Sequence, residues 1–60
     1  MLRVKLQTVD NNTFYVDNVT NYNNAKKVLM CRLGKLPKIK RICHVDEYEE
    51  EMEVIEYEYD

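Results

Sequence analysis

The chain begins with a strict alternation of hydrophobic and polar residues over positions 2–7 (LRVKLQ). A period of two predicts a β-strand with one buried face. Residues 10–12 (DNN) suit a tight turn, because Asn and Asp tolerate the positive φ that such turns need. Residues 13–16 (TFYV) are β-branched or aromatic, which favours a returning strand. This part of the chain therefore predicts a β-hairpin.

A helical spacing of apolar residues follows the hairpin. Thr20 and Asn21 are favourable N-cap residues, and Gly34 suits the left-handed residue that ends many helices. Pro37 prevents the helix from resuming nearby. The face predicted to be buried carries Tyr22, Ala25, Leu29 and Leu33. We therefore predict a single helix between the hairpin and Gly34.

Two further strands are predicted after the helix, over residues 38–45 and 51–59, with a polar turn at residues 46–50. Strict alternation would place Ile39, Arg41, Cys43 and Val45 towards the helix and Lys38, Lys40, Ile42 and His44 on the opposite face. In the last strand it would place Glu53, Ile55, Tyr57 and Tyr59 on the side towards the helix and Met52, Val54, Glu56 and Glu58 opposite. The order β-β-α-β-β predicts a single small α+β domain, residues 1–60, in which one helix packs on one face of a four-stranded sheet.

Length and composition restrict the class of protein. A chain of 60 residues buries only a small core, and such domains often gain stability from a partner. No apolar run approaches the roughly 18 residues that span a membrane, and the N-terminus lacks the apolar centre of a signal peptide. We expect a cytoplasmic protein whose two cysteines are free thiols.

Catalytic and cofactor chemistry finds no support in the residues. The single glycine is assigned to the helix end, which leaves no phosphate-binding loop, and the absence of serine rules out a Ser-His-Asp triad. Cys31, Cys43 and His44 lack the closely spaced pairs of zinc sites, and the neighbours Cys43 and His44 should point to opposite faces of a strand. We predict no enzymatic activity, no cofactor and no metal site.

Charge is segregated along the chain, although the net charge is only −2. Residues 1–45 hold nine bases and two acids, whereas residues 46–60 hold nine acids and no base. One interpretation is pairing within the fold: one hairpin register places Lys40 opposite Glu58, and another places Lys40 opposite Glu56 and Lys38 opposite Glu58. The other interpretation is an interaction surface.

The uncovered face of the predicted sheet favours a protein partner, because it should carry an apolar patch with a charged rim. We predict a non-enzymatic protein-interaction or regulatory module that binds through this face and the acidic C-terminal strand, with a homodimer as a further use of the patch. The Asn- and Lys-rich, Gly-poor composition suits an A+T-rich source, such as a phage or mobile-element accessory protein that binds a host protein. The predicted partner-binding residues are Tyr15, Ile42, His44, Met52, Val54, Glu56 and Glu58.

The alternative is a small nucleic-acid-binding protein that uses the basic helix and third strand. The candidate phosphate contacts are Lys26, Lys27, Lys35, Lys38, Lys40 and Arg41. Two observations weigh against it: the isoelectric point is about 5.3, and Glu56 and Glu58 would lie beside a bound phosphate. The acidic strand could instead mimic nucleic acid in the groove of another protein, which the sequence leaves open.

Overall fold

Four strands and one helix follow one another in the order that the hydrophobic pattern predicts. The structure, a computed structural model, describes residues 1–59. Its elements are β1 (Leu2–Thr8), β2 (Thr13–Val19), α1 (Tyr22–Leu33), β3 (Ile39–Val45) and β4 (Glu51–Glu56). The sheet has the order β2-β1-β3-β4, and each neighbouring pair of strands is antiparallel. The predicted α+β fold is confirmed.

Local signals fix the turn and the helix ends. Asn11 adopts a φ of 67° in the first turn, a region that Asn enters at low cost. The Asn21 side chain accepts a hydrogen bond of 2.8 Å from the Asn24 amide and caps α1. Gly34, at a φ of 80°, donates its amide to the Met30 carbonyl at 2.8 Å and ends the helix, as predicted.

The core lies between α1 and one face of the sheet. Ala25 and Leu29 are the buried helix residues, and Tyr22 is half-buried beside them. Leu33 was expected on the same face but remains exposed, because the helix ends there. The sheet contributes Val4, Leu6, Val16, Val19, Ile39 and Ile42 to this cluster. No helix within residues 1–59 is long and apolar enough to cross a membrane.

A β-bulge at Lys40 reverses the predicted faces of β3. Pairing with β1 passes from Gln7↔Arg41 to Thr8↔Ile39, which leaves Lys40 as an extra residue. A slip of one residue turns every later side chain to the other face. Ile42 and His44 therefore pair with Leu6 and Val4 on the helix side, and their predicted place on the open face is wrong. By the same slip, Arg41, Cys43 and Val45 lie on the open face rather than towards the helix.

A second bulge affects β4. Pairing with β3 shifts between Ile42↔Ile55 and His44↔Met52, and Glu53 within this interval has a φ of 51°. Met52 therefore shares the helix side with His44, contrary to the prediction. Ile55 faces the helix side, as predicted, and Glu56 lies opposite Arg41 on the open face, also as predicted.

The C-terminal segment stays close to β3 after β4 ends at Glu56. The Tyr57 amide donates to the Lys40 carbonyl at 2.9 Å, and the Tyr59 hydroxyl donates to the Ile39 carbonyl at 2.7 Å. The predicted last strand, residues 51–59, thus continues as an ordered segment without regular strand pairing. Asp60, one of the nine acids of the C-terminal segment, lies outside the described residues.

Candidate interaction surface

The open face of the sheet carries a network of ion pairs rather than an apolar patch. The Glu51 carboxylate accepts hydrogen bonds from Arg41 at 2.6 Å and from Lys5 at 3.0 Å. These two donors lower the pKa of Glu51 from 4.5 to about 2, and the bond to Glu51 raises the pKa of each partner. Cys43 is buried on this face, and its burial raises the pKa of its thiol.

Arg3 organises the other half of the open face. Its guanidinium lies 4.3 Å from the centroid of the Tyr15 ring and pairs with Asp17 at 3.3 Å and with Glu49 at 3.0 Å. The Tyr15 hydroxyl also donates to Glu49 at 3.3 Å. The N-terminal bases and the C-terminal acids therefore do meet within the fold. They meet through Arg3, Lys5 and Arg41.

Lys38 and Lys40 do not make the predicted pairs. Lys38 Nζ lies 5.6 Å from the centroid of the Tyr59 ring, and Lys40 donates to the Asn11 side chain. Within residues 1–59, neither lysine forms an ion pair with Glu56 or Glu58. The bulge in β4 is the reason. It shifts the pairing with β3 by one residue beyond His44↔Met52, so that Arg41 rather than Lys40 lies opposite Glu56.

The residues predicted to bind a partner are distributed over different environments. Ile42 is fully buried in the core, so it cannot contact a partner. Three of the seven are half-buried: Tyr15 beneath Arg3, and His44 and Met52 on the helix side. Three are exposed, namely Val54, Glu56 and Glu58. The exposed three all belong to β4 and its continuation.

An acidic and partly apolar surface runs along β4, which is an edge of the sheet. Val54 and Ile55 are 40% and 44% exposed, and both are large hydrophobic residues. The Glu53 side chain is 80% exposed. We call this surface the acidic edge and define it by the exposed residues Glu53, Val54, Ile55, Glu56 and Glu58. An edge strand offers backbone N–H and C=O groups that no neighbouring strand uses.

A groove of about 470 Å³ separates the start of α1 from β4. Leu2 and Tyr22 line one side of it, and Val54 and Ile55 line the other. The Tyr22 hydroxyl donates to the Glu53 carbonyl at 2.7 Å, which ties the bulge of β4 to the helix. No local sequence pattern indicates this groove, because its width depends on how far α1 lies from the sheet edge.

The residues predicted to contact nucleic acid do not share one surface. Arg41 lies on the open face, on the other side of the sheet from α1. Lys26 Nζ donates to the Tyr57 hydroxyl at 3.0 Å and lies 4.9 Å from the centroid of that ring. Lys27 and Lys35 are exposed, while Lys38 and Lys40 make the contacts described above. These cations therefore face several directions.

The cysteines and the histidine are also separated. Both cysteines are free thiols, as predicted, with Cys31 exposed on α1 and Cys43 buried in β3. His44 faces the helix side, and its ring centroid is 6.4 Å from that of Tyr22. In the described part of the chain, no three His, Cys, Asp or Glu side chains are placed to hold a metal ion. A scan of protein-family models and searches of curated proteins and of solved structures gave no match to this chain.

Proposed function

We propose that this chain is a non-enzymatic protein-interaction module that binds a partner protein through its acidic edge. The observation that carries the proposal is the pair of exposed hydrophobic residues, Val54 and Ile55, on an edge strand and among exposed glutamates. Exposed apolar residues with a charged rim are typical of protein-binding surfaces. On such a surface the apolar area contributes binding affinity, and the charged groups determine which partner is selected.

The glutamates of the acidic edge keep their charge available to a partner. The Glu51 carboxylate is paired with Lys5 and Arg41, whereas the Glu53 carboxylate has the His44 imidazole at 3.8 Å as its basic neighbour. Neither Glu56 nor Glu58 forms an ion pair within the described residues. A basic surface that approaches this edge therefore meets exposed carboxylates that are available for new ion pairs.

The open face supports the proposal less well than the edge does. Its cations are already engaged by Glu49 and Glu51, so a partner would have to replace existing ion pairs. The same acids weaken a nucleic-acid function, because they would lie close to bound phosphate. A cytoplasmic accessory role in a bacterium or its phage is part of the proposal and rests on the composition.

Site-specific photocrosslinking in the full chain tests the proposal. A photoreactive benzoylphenylalanine replaces Val54 in one version and Lys27, on the outer side of α1, in the control version. After irradiation in an extract of the producing cells, we expect one protein to be crosslinked from position 54 and not from position 27. That protein, purified, should bind the wild-type chain and lose at least about tenfold in affinity for the Glu53→Lys, Glu56→Lys variant.

Two results would contradict this function. One is crosslinking from position 27 with none from position 54. The other is tight binding of labelled DNA or RNA that weakens steeply with salt and is lost in the Lys27→Glu, Lys35→Glu variant. That result would identify the helix as a phosphate-binding surface. Circular dichroism of each variant confirms that it is folded.

A further inference from the structure

We infer that the partner supplies an extended segment of alternating basic and apolar residues, and that this segment pairs with β4 as a fifth strand of the sheet. The inference rests on the proposed function and specifies the chemistry of the partner and its mode of binding. Strand addition to a free sheet edge is a general form of peptide recognition, in which backbone hydrogen bonds give affinity and alternate side chains give specificity.

The backbone of β4 is suited to such pairing. In the order β2-β1-β3-β4, one side of β4 pairs with β3 and the other side ends the sheet. The Tyr57 amide still points to β3, since it donates to the Lys40 carbonyl at 2.9 Å. The chain therefore remains extended along β3 beyond Glu56, and alternate backbone groups over residues 54–58 point away from the sheet.

The side chains of β4 define which sequence would pair with it. Glu56 lies on the open face, because its cross-strand neighbour is Arg41. Ile55 lies on the helix side, opposite Ile42, and Tyr57 packs against the core on that side. A neighbouring strand would thus place lysine or arginine beside Glu56 on one face and apolar residues beside Ile55 on the other.

The groove at the start of α1 extends the apolar half of this surface. Its volume of about 470 Å³ falls in the range of about 300–1,000 Å³ that is usual for ligand pockets. Tyr22 forms one wall and is held by its hydrogen bond to the Glu53 carbonyl, so the groove has a fixed side. One bulky apolar side chain of the added strand can lie between Tyr22 and Ile55.

A second copy of this chain does not fit the acidic edge. Pairing of β4 with another β4 would place glutamates beside glutamates, which destabilises a sheet. The other edge strand, β2, contains no lysine or arginine in Thr13–Val19. Charge complementarity therefore points to a different, basic chain. The bulge at Glu53 limits indiscriminate edge pairing and confines the contact to residues 54–58.

Peptide titration of the isotopically labelled full chain, followed by NMR, tests the inference. The probe is a short peptide that alternates lysine with valine. The controls are the same peptide with its lysines and valines in separate blocks, and the alternating peptide N-methylated at its pairing amides. We expect the unmodified alternating peptide alone to slow exchange of those amides within residues 54–58 that point away from the sheet, and to give backbone contacts across the new strand pair.

A matched pair of variants separates specific pairing from general charge attraction. Glu56→Lys, Glu58→Lys should weaken binding of the alternating peptide by roughly tenfold or more. Glu47→Lys, Glu50→Lys makes the same change in net charge in the exposed turn and should alter affinity by less than about threefold.

Equal weakening in both variants, equal binding of the N-methylated peptide, or shifts centred on the open face would each overturn strand addition. These failures are distinguishable from failure of the proposed function. If a protein is still crosslinked from position 54 while no alternating peptide binds, the acidic edge contacts a folded surface and only strand addition is wrong.

Discussion

Ile42 offers the sharpest test of the structure, because the alternating pattern places it in solvent and the structure buries it completely. It packs between its cross-strand neighbours Leu6 and Ile55 and belongs to the core cluster. Ile→Val in such a site costs about 0.5–1.5 kcal/mol, and Ile→Ala costs about 2–5 kcal/mol. A domain of 60 residues is stable by about 3–9 kcal/mol in total, so Ile42→Ala should unfold a large share of the protein. Ile42→Val should stay folded and give a measurable loss.

Urea denaturation followed by far-ultraviolet circular dichroism measures this loss. With a slope of about 1 kcal/mol per molar urea, Ile42→Val should lower the midpoint by about 0.5–1.5 M. Val54→Ala is the control: at 40% exposure on the sheet edge, it should cost less than about 1 kcal/mol. If Ile42→Ala proved harmless, the bulge at Lys40 would be refuted, since only an unbulged β3 turns Ile42 to solvent.

Three further substitutions test the contacts around β4. The pKa of Glu51 is about 2 in the folded chain against 4.5 ordinarily, so its stabilisation is complete above pH 4.5 and is lost as the pH falls towards 2. Glu51→Gln should make thermal stability less dependent on pH in that interval, and an unchanged dependence would contradict the network. Tyr22→Phe removes the donor to the Glu53 carbonyl and should cost about 0.5–1.5 kcal/mol, which lowers the melting temperature by roughly 2–12 °C. Glu53→Asn should raise stability by up to about 1 kcal/mol in urea denaturation, because Asn tolerates the φ of 51° better than Glu does; a clear loss would argue against the bulge geometry.

The elements could be predicted from the sequence because their signals are local. Alternation over residues 2–7, the Asn21 cap and the Gly34 stop each depend on a few neighbouring residues, and each is found where it was expected. The exposed part of the candidate site could also be predicted from the sequence, since Val54, Glu56 and Glu58 are all among the predicted partner-binding residues. The groove beside Tyr22 could not be predicted, because no local sequence pattern indicates the distance between a helix and a sheet edge.

The assignment of β3 and β4 residues to faces failed for a single physical reason. Strict alternation assumes an unbroken strand, and one inserted residue reverses everything beyond it. The bulge at Lys40 moved Ile42 and His44 into the helix side and brought Arg41 to the open face. The expected apolar patch was replaced by the ion pairs of Glu51 as a direct result.

Each bulge lies between two apolar residues of one strand that are separated by an odd number of positions. Val16 and Val19, Ile39 and Ile42, and Met52 and Ile55 are each three positions apart, an odd spacing that a regular strand cannot put on one face. In each case the strand that contains the pair advances by three residues while its neighbour advances by only two. The two neighbouring residues are Leu2 and Val4 for the first pair, Thr8 and Leu6 for the second, and His44 and Ile42 for the third. Placing both members of an odd-spaced pair on one face of the sheet requires one extra residue between them, and a bulge supplies it. Odd spacing alone does not place a bulge, because Ile42 and Val45 are also three positions apart and lie on opposite faces of β3 with regular pairing. In β4 the bulge leaves the segment beyond Glu53 with acids on one face and Ile55 on the other, which is the pattern that the proposed partner strand must match.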